Sequence, residues 1–263
     1  MESNIDLHVH TYYSDGTLSP TEIIKWAKKE NLDQVAITDH DGIDGVQEAL
    51  IAGEALDILV IPGIELSVDE PNGIGMHILG YHIDIHNDKL IMKLGDIKGK
   101  RKERNEKLIA ALSSLGYPLV YDEMKKRGNA DYIGKPDFAR GLIKKGYINK
   151  FSDAFEKDKF LMSEIVRKIR KEKISAKEAI ELITSAGGIS VLAHPMKVTG
   201  LTEVYFKELE NLIVKLKSYG LKGIECFYPE HSEEETMKLV NLAEKYKLHI
   251  TKGSDYHGPK EQK

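Results

Sequence analysis

Only one cysteine, Cys226, occurs among the 263 residues, so no disulfide can form within the chain and a reducing compartment fits best. No apolar run approaches the ~20 residues that span a bilayer. The N-terminus runs straight into Ile5-Asp6-Leu7-His8, with no basic start followed by an apolar stretch. The expectation is a cytoplasmic protein with no membrane partner. Positive charge is not in excess either: 38 Lys and Arg stand against 42 Asp and Glu, a net charge of -4, which argues against binding duplex DNA. A small phosphorylated molecule needs only a few local cations and stays open as a partner; oligomeric state is left open. At 41% hydrophobic residues, the chain can bury a full core as one large domain, or as one domain with an insertion.

Seven runs enriched in Ile, Val and Leu read as strands: residues 4–10, 34–38, 57–61, 76–83, 189–193, 222–227 and 249–253. Helix starts lie between them. Ser19-Pro20-Thr21-Glu22 supplies an N-cap, a Pro at N1 and a Glu at N3; Ser175-Ala176-Lys177-Glu178 reads as a capping box; Ser232-Glu233-Glu234-Glu235 puts acids where the helix dipole favours them. Such alternation implies an α/β fold with a parallel sheet, and seven repeats suggest a closed or nearly closed β/α barrel. Between residues 86 and 174 the alternation breaks, and helix formers dominate over 98–115, 136–145 and 163–173. This reads as a helical insertion after the fourth strand, dividing the chain into a barrel (1–85 and 175–263) and a cap (86–174). A cap of this kind can bring substrate-binding groups over a barrel mouth; a purely structural elaboration is the alternative.

Nine residues of metal-ligating type fall just past the apolar runs: His8, His10, Asp15, His40, Glu65, His77, His194, Asp255 and His257. Residues i and i+2 on a strand share a face, so His8 and His10 can grip one ion, and Asp255 and His257 repeat that spacing. A lone His-x-His is as easily a surface or satisfied core pair; nine matched positions are not. Mixed imidazole and carboxylate ligands suit Mn²⁺, Fe²⁺ or Zn²⁺ better than Mg²⁺ or Ca²⁺, which prefer oxygen. The pattern reads as a multi-metal hydrolase, with the ligands acting catalytically through their ions. Ser14 and Ser254 lie beside ligands but in no Gly-x-Ser-x-Gly elbow, so no serine nucleophile is required.

Substrate contacts are the next layer. Arg101 and Arg104, at i and i+3, share a helix face and can hold a phosphate, unless they belong to a solvated basic face with Lys98, Lys100, Lys102 and Lys107. Lys135 is a further cation of this kind. Tyr228 and His231 follow the sixth strand and either line the pocket mouth or anchor a loop by packing. Asp39 and Asp41 flank His40, and one of them can orient an imidazole. His82, His86 and His249 have no partner at ligand spacing and read as surface or satisfied polar groups.

In order, His8-Val9-His10-Thr11, Ser14-Asp15-Gly16, Ile37-Thr38-Asp39-His40-Asp41, Gly63-Ile64-Glu65, Ala193-His194-Pro195 and Gly253-Ser254-Asp255-Tyr256-His257 resemble the motifs of the PHP (polymerase and histidinol phosphatase) superfamily. The resemblance implies a distorted, TIM-like (β/α)7 barrel carrying two to three divalent Mn, Fe or Zn ions. By the family pattern His8, His10 and Asp255 hold one ion, Glu65 bridges to a second held by His77 and His194, and Asp15, His40 and His257 hold a third. Arg101-Lys102-Glu103-Arg104 and Gly134-Lys135-Pro136-Asp137-Phe138-Ala139-Arg140 resemble a stand-alone bacterial branch that includes 3′,5′-nucleotide bisphosphate phosphatases and a 5′-to-3′ exoribonuclease. That branch usually has Arg-Pro-His where this chain has Lys135-Pro136-Asp137; the carboxylate either repels a second phosphate or pairs with Lys135 or Arg140. The implied activity is metal-dependent phosphoester hydrolysis by an activated water, on a 3′,5′-bisphosphorylated nucleoside or a short 5′-phosphorylated oligonucleotide. Alternatives are a histidinol-phosphate-type phosphatase and a non-catalytic metal-binding domain that binds a nucleotide or a protein.

Overall fold

A computed structural model of the chain describes residues 4–125, 132–202 and 204–259. Its first half contains β1 (Ile5–Val9), α1 (Pro20–Lys29), β2 (Gln34–Ile37), α2 (Val46–Leu56), β3 (Leu59–Glu70), β4 (Ile74–Tyr81) and α3 (Asp88–Ser114). There follow α4 (Lys135–Lys144), α5 (Glu164–Arg167), α6 (Ala176–Ser185), β5 (Ile189–Leu192), α7 (Tyr205–Tyr219), β6 (Gly223–Phe227), α8 (Glu233–Lys245) and β7 (His249–Lys252). Among the described residues, no helix is long and apolar enough to cross a membrane.

The seven expected strands are present and lie in chain order in one sheet. The sheet closes where β1 meets the chain after β7: the Tyr256 amide donates to the His8 carbonyl (3.3 Å) and the His10 amide to the Tyr256 carbonyl (2.9 Å). It is mostly, not wholly, parallel. β4 runs antiparallel to both β3 and β5, because a tight turn at Pro71–Gly73, with Gly73 at φ 79°, folds β3 straight back on itself without a crossover helix. β3 also continues to Glu70, past the expected end at residue 61. Pro62-Gly63 interrupts the apolar run, yet Ile64, Leu66 and Val68 go on alternating with Glu65, Ser67 and Asp69, which is the period of a strand with one apolar face.

Local capping sets the helix starts. Ser19 with Glu22 and Ser232 with Glu235 form reciprocal capping boxes for α1 and α8. Ser175 caps α6 through the Glu178 amide (3.2 Å), but the reciprocal half is missing because Lys93 takes the Glu178 carboxylate. The helix expected over 163–173 shrinks to α5. Beyond it the chain is drawn out along the barrel rim: the Asp69 amide donates to the Ile174 carbonyl (3.1 Å), Lys173 pairs with Asp69 (2.7 Å) and Lys171 pairs with Asp41. The helix propensity of residues 168–173 does not outweigh these tertiary bonds.

Apolar side chains segregate accordingly. One core cluster comes wholly from the inserted stretch, including Leu108, Leu112, Ile133, Phe138, Leu142, Leu161 and Val166. Helix α3 joins it to the barrel: Leu90, Leu94 and Ile97 pack into the barrel core, while Leu108, Ala111 and Leu112 pack into the cap core. The inserted stretch thus has an apolar core of its own, linked to the barrel core through α3. Phe138 is fully buried in it, so Phe138→Ala is expected to cost about 3–5 kcal/mol. Hydrogen exchange should show the loss of protection confined to the cap; equal loss in the barrel amides would show that the two cores unfold as one.

Candidate metal centre

The barrel interior is polar where its strands converge. His8 and His10 are completely buried and their ring centroids are 5.1 Å apart, as the strand period of β1 requires. Beyond β2, His40 is fixed by backbone bonds to β3: the Asp41 amide donates to the Glu65 carbonyl (2.8 Å) and the Glu65 amide to the Asp39 carbonyl (3.1 Å). Glu65 projects from β3, His77 from the reversed β4, and His194 from the first residue after the Ala193 that follows β5.

Glu65 is the meeting point. Its Oε1 lies 2.9 Å from His77 Nδ1, 3.0 Å from His194 Nε2 and 3.4 Å from His8 Nε2; its Oε2 lies 2.9 Å from His40 Nδ1 and 3.3 Å from His10 Nε2. Three overlapping groups have donor atoms within 4.8 Å of one another: His8, His10, Glu65 and Asp255; His10, Asp15, His40 and His257; and His40, Glu65 and His77. The structure thus brings all nine residues together. It differs from the expected partition in that His10 and His40 each belong to two groups, while His194, expected beside His77, belongs to none of the three and meets Glu65 directly. Asp255 and His257 fall in different groups, as the family pattern has them and against their strand-pair spacing, because β7 stops at Lys252 and Asp255 takes a left-handed backbone (φ 56°), which ends the strand alternation. His194 is also strained, at φ 24°; unfavourable backbone held in place by its surroundings is characteristic of functional sites.

A divalent cation fits these side chains. His8 Nε2, His10 Nε2, Asp15 Oδ1, His40 Nδ1 and Glu65 Oε2 are all buried and, among the described residues, meet only one another and the neighbouring Asp255 and His257, as imidazole–carboxylate pairs without the geometry of a hydrogen bond. An unsatisfied buried polar atom costs about 1–3 kcal/mol, and several that converge on a shared centre describe an inner coordination sphere. Without metal, protons take that place. Burial opposes charge on His10, but the adjacent Asp255 and Glu65 carboxylates and the Asp15 charge outweigh it and raise its pKa to about 10. His8 and His40 are raised against the same burial, His8 by Glu225 and Glu65, His40 by Glu65 and Asp15. For His77 burial prevails and its pKa is lowered. Asp15 and Glu65 resist burial through the surrounding imidazoles and stay well below the usual carboxylate range.

Carboxylates outside the ligand set hold it in place, and Glu225 is the one the sequence reading missed. Completely buried on β6, it faces His8 Nδ1 (2.9 Å) through Oε1 and accepts the His194 amide (2.7 Å) through Oε2. Its only signal in sequence is a lone carboxylate inside the apolar run Ile224-Glu225-Cys226. Gly253 is obligatory beside it, since a Cβ there would collide with both His8 Cβ and Glu225 Oε1. Asp39 and Asp41 do not orient the His40 ring as expected. Asp39 accepts the Thr11 amide (2.7 Å), the Thr11 hydroxyl (2.7 Å) and the Ser14 hydroxyl (2.5 Å), so it shapes the loop that carries Asp15. Asp41 accepts the Ser67 amide (3.0 Å) and pairs with Lys171 and Arg101; these two cations outweigh its burial and lower its pKa to about 2.

A cationic cluster adjoins the centre. Arg101 and Arg104 are only 5% and 9% exposed, which excludes the solvated-face reading for them, although Lys100, Lys102 and Lys107 are exposed. The Arg101 guanidinium lies 4.2 Å from the Tyr132 ring centre, and Tyr132 in turn stacks on His40 with centroids 6.5 Å apart. Arg104 has no carboxylate at ion-pair distance among the described residues; burial and the neighbouring Arg101 lower its pKa. Lys171 joins this cluster and was not anticipated; Lys135 is exposed at the start of α4. Asp137 caps the Gly134 amide (2.8 Å) and pairs with Arg140 (3.1 Å), the second of its two expected alternatives. Tyr228 donates to Asp255 (3.0 Å) and meets Lys197, so it abuts the centre, whereas His231 bonds the Cys226 carbonyl (3.0 Å) as a loop anchor. His82, His86 and His249 are exposed.

Residues 6–250 match the PHP domain family. The chain is 32% identical over 261 residues to a 5′-3′ exoribonuclease of Haemophilus influenzae, covering 98% of this chain and 92% of that protein. It is 32% identical over 260 residues to a 3′,5′-nucleoside bisphosphate phosphatase of Chromobacterium violaceum, covering 98% and 89%. A solved amidohydrolase structure from Chromobacterium violaceum, with bound sulfate and no metal, superimposes with a TM-score of 0.86 at 31% identity, covering 98% of this chain and 89% of that one.

Two outcomes are expected. Glu225→Ala strands the His8 ring and the His194 amide and should weaken metal binding 10- to 100-fold by competitive chelator titration, on the order found for groups that orient ligands; an unchanged affinity would deny Glu225 that role. Because the pKa values of His8, His10 and His40 are raised in the metal-free protein, that of His10 to about 10, protons are held more tightly there and an incoming ion must displace them. Affinity should therefore rise with pH, and calorimetry in buffers of different ionisation enthalpy should register net proton release. Binding without proton release would contradict this charge state.

Proposed function

The chain belongs to the PHP domain family and is a metal-dependent phosphoesterase; we propose that its substrate is a nucleoside 3′,5′-bisphosphate or a short 5′-phosphorylated oligonucleotide. In this reading two to three divalent transition ions are held by His8, His10, Asp15, His40, Glu65, His77, Asp255 and His257, in the three overlapping groups described, with His194 joining them beside Glu65. When bound, such ions supply Lewis acidity, lowering the pKa of water and neutralising phosphoryl charge.

The observation that carries the substrate assignment is Arg104. A buried guanidinium with no carboxylate partner is costly. An arriving phosphate offers it paired, charge-assisted hydrogen bonds. Arg101, one helical turn away, and Lys171 share a single carboxylate, Asp41, so the cluster keeps net positive charge after its internal pairing. One phosphate at the ligand cluster and a second at Arg101 and Arg104, across Tyr132, matches a doubly phosphorylated molecule better than a monophosphate. Histidinol phosphate fits less well, since its ammonium group would face these cations. A non-catalytic reading is disfavoured because every ligand position is filled and the buried donor atoms of these residues converge without the geometry of hydrogen bonds. Tyr228, through Asp255, orders the opposite rim. We place the protein in the cytosol, where its single buried thiol stays reduced.

The Mn²⁺-loaded protein is expected to release only the 3′ phosphate of adenosine 3′,5′-bisphosphate, and to do so faster than it acts on AMP or histidinol phosphate. Arg104→Ala should raise the KM for the bisphosphate about tenfold or more, the scale of one lost charged hydrogen bond. Equal turnover of AMP by the unaltered protein would leave phosphoester hydrolysis standing and remove the bisphosphate assignment.

A further inference from the structure

The mouth of the metal centre is a cavity of about 330 Å³ lined by His40, Glu65, His77, His194, Asp255 and His257. Among the described residues, two lysines also line it, Lys173 and Lys197. Lys173 is committed to Asp69 on β3 (2.7 Å). Lys197 is differently placed. It ends a tight turn that starts at the ligand His194, whose carbonyl accepts the Lys197 amide (2.8 Å), and the Tyr205 hydroxyl pins that turn by donating to the Pro195 carbonyl (2.7 Å). The ammonium is thus carried on a backbone fixed to the centre itself.

Its charge is not neutralised locally. The nearest partner is neutral: Lys197 donates to the Tyr228 hydroxyl, and its ammonium lies 4.6 Å from the centre of that ring. Among the described residues, the carboxylates within reach are Asp255 at 3.4 Å and the exposed Glu230 at 3.5 Å. Asp255 divides its two oxygens. Its Oδ1 faces His8 (3.4 Å) and His10 (3.1 Å), while its Oδ2 accepts the Tyr228 hydroxyl (3.0 Å) and faces Lys197. An ion on Oδ1 draws the carboxylate's charge inward, so Lys197 keeps its positive charge at the mouth. The Arg101 and Arg104 cluster reaches the centre over His40, on the Oε2 side of Glu65. Lys197 reaches it over His194, on the Oε1 side, where Tyr228 meets the His194 ring edge-on at 5.8 Å. The two sources of positive charge therefore serve different parts of a substrate.

We propose that the Lys197 ammonium holds the phosphoryl group undergoing transfer, while Arg101 and Arg104 hold the second phosphate. The assignment rests on the phosphoesterase reading above but not on the choice between a bisphosphate and a monophosphate. Phosphoryl transfer spreads negative charge over three equatorial oxygens, and a cation already fixed beside them stabilises that charge without reorganisation. A lysine suits this task as a compact point charge. The water oxygen bonds to phosphorus, the ester P–O bond breaks, and the water's proton ends on the departing oxygen. Lys197 donates hydrogen bonds throughout and gives up no proton.

The test uses Lys197→Met and Lys197→Arg in the Mn²⁺-loaded protein, with p-nitrophenyl phosphate and adenosine 3′,5′-bisphosphate as substrates, and calorimetry of the Mn²⁺-dependent binding of inorganic phosphate. Lys197→Met should lower kcat/KM for both substrates by a similar factor, about tenfold or more, and weaken phosphate binding about tenfold, the scale of one charge-assisted hydrogen bond. Lys197→Arg should recover most of both losses, and because Lys197 is exposed on its loop, neither variant threatens the fold. Affinity for Mn²⁺, read by chelator competition, should not fall in Lys197→Met. A weakened Mn²⁺ affinity, with phosphate binding unchanged at saturating Mn²⁺, would make Lys197 a mere support for Asp255 and overturn the proposal. A loss confined to the bisphosphate would also overturn it. Turnover of neither substrate by the unaltered protein would remove the phosphoesterase reading itself.

Discussion

The interior depends on how one carboxylate is kept charged without solvent. Glu65 is completely buried, and an isolated carboxylate there would cost several kcal/mol or simply take up a proton. Five imidazoles prevent this, each within 3.4 Å of one of its two oxygens. They stabilise the anion in either state of the site: His8, His10 and His40, whose pKa values are raised, by taking up protons when no metal is present, and all five as neutral ligands when metal ions provide the positive charge instead. In both cases positive charge must sit between the histidines and Glu65. The five rings must also arrive from different parts of the chain, since no single strand can place five side chains around one group.

That requirement accounts for the reversed strand. A parallel β4 would need a crossover connection of a dozen or more residues, whereas the turn at Pro71–Gly73 returns the chain at once and pairs His77 with Ser67, two residues along β3 from Glu65. His77 therefore reaches Glu65 from mid-strand, unlike the ligands at strand ends. The same hairpin projects beyond the barrel. Its β3 side bonds the returning cap segment at Ile174, and its β4 side exchanges two backbone bonds between Gly75 and Thr199, on the loop that carries His194. One device thus supplies a ligand, anchors the cap and braces a second ligand.

Much of this was readable in the sequence, for a definite reason. Strand positions and the facing of His8 with His10 follow from a period of two, which is a local property, and all seven strands were located from it. What local pattern does not contain is which strand pairs with which, and in what direction. β4 was placed correctly but its reversal was invisible, because an antiparallel strand and a parallel one show the same alternation. The spacing of Asp255 and His257 misled in the opposite sense: it looks like a strand pair, but the left-handed turn at Asp255 sends the two side chains to different groups. The segment 163–173 carries helix formers throughout, and bonds to Asp69 and Asp41 from across the fold override them. Glu225 escaped notice because one carboxylate among apolar residues has no signature until its partners, His8 and His194, are seen to lie beside it.

The cationic cluster obeys a different logic from the metal centre, because there the charges do not balance. Asp41 accepts both Arg101 and Lys171, and its depressed pKa, about 2, shows how strongly they hold it ionised. Among the described residues, Arg104 is left without a carboxylate. Asp137 is a carboxylate on the cap helix α4, but it is committed to the Gly134 amide and to Arg140, so its presence in the sequence does not neutralise the cluster. A fold selected for stability alone would replace Arg104 with an apolar residue or give it a partner. Keeping it buried and unpaired lowers the stability of the ligand-free protein, and an anion that satisfies it restores what was lost. The binding energy of a second phosphate would then come from relieving a strain already present in the empty cap, which makes recognition selective: a substrate lacking that phosphate leaves the guanidinium as unsatisfied as before.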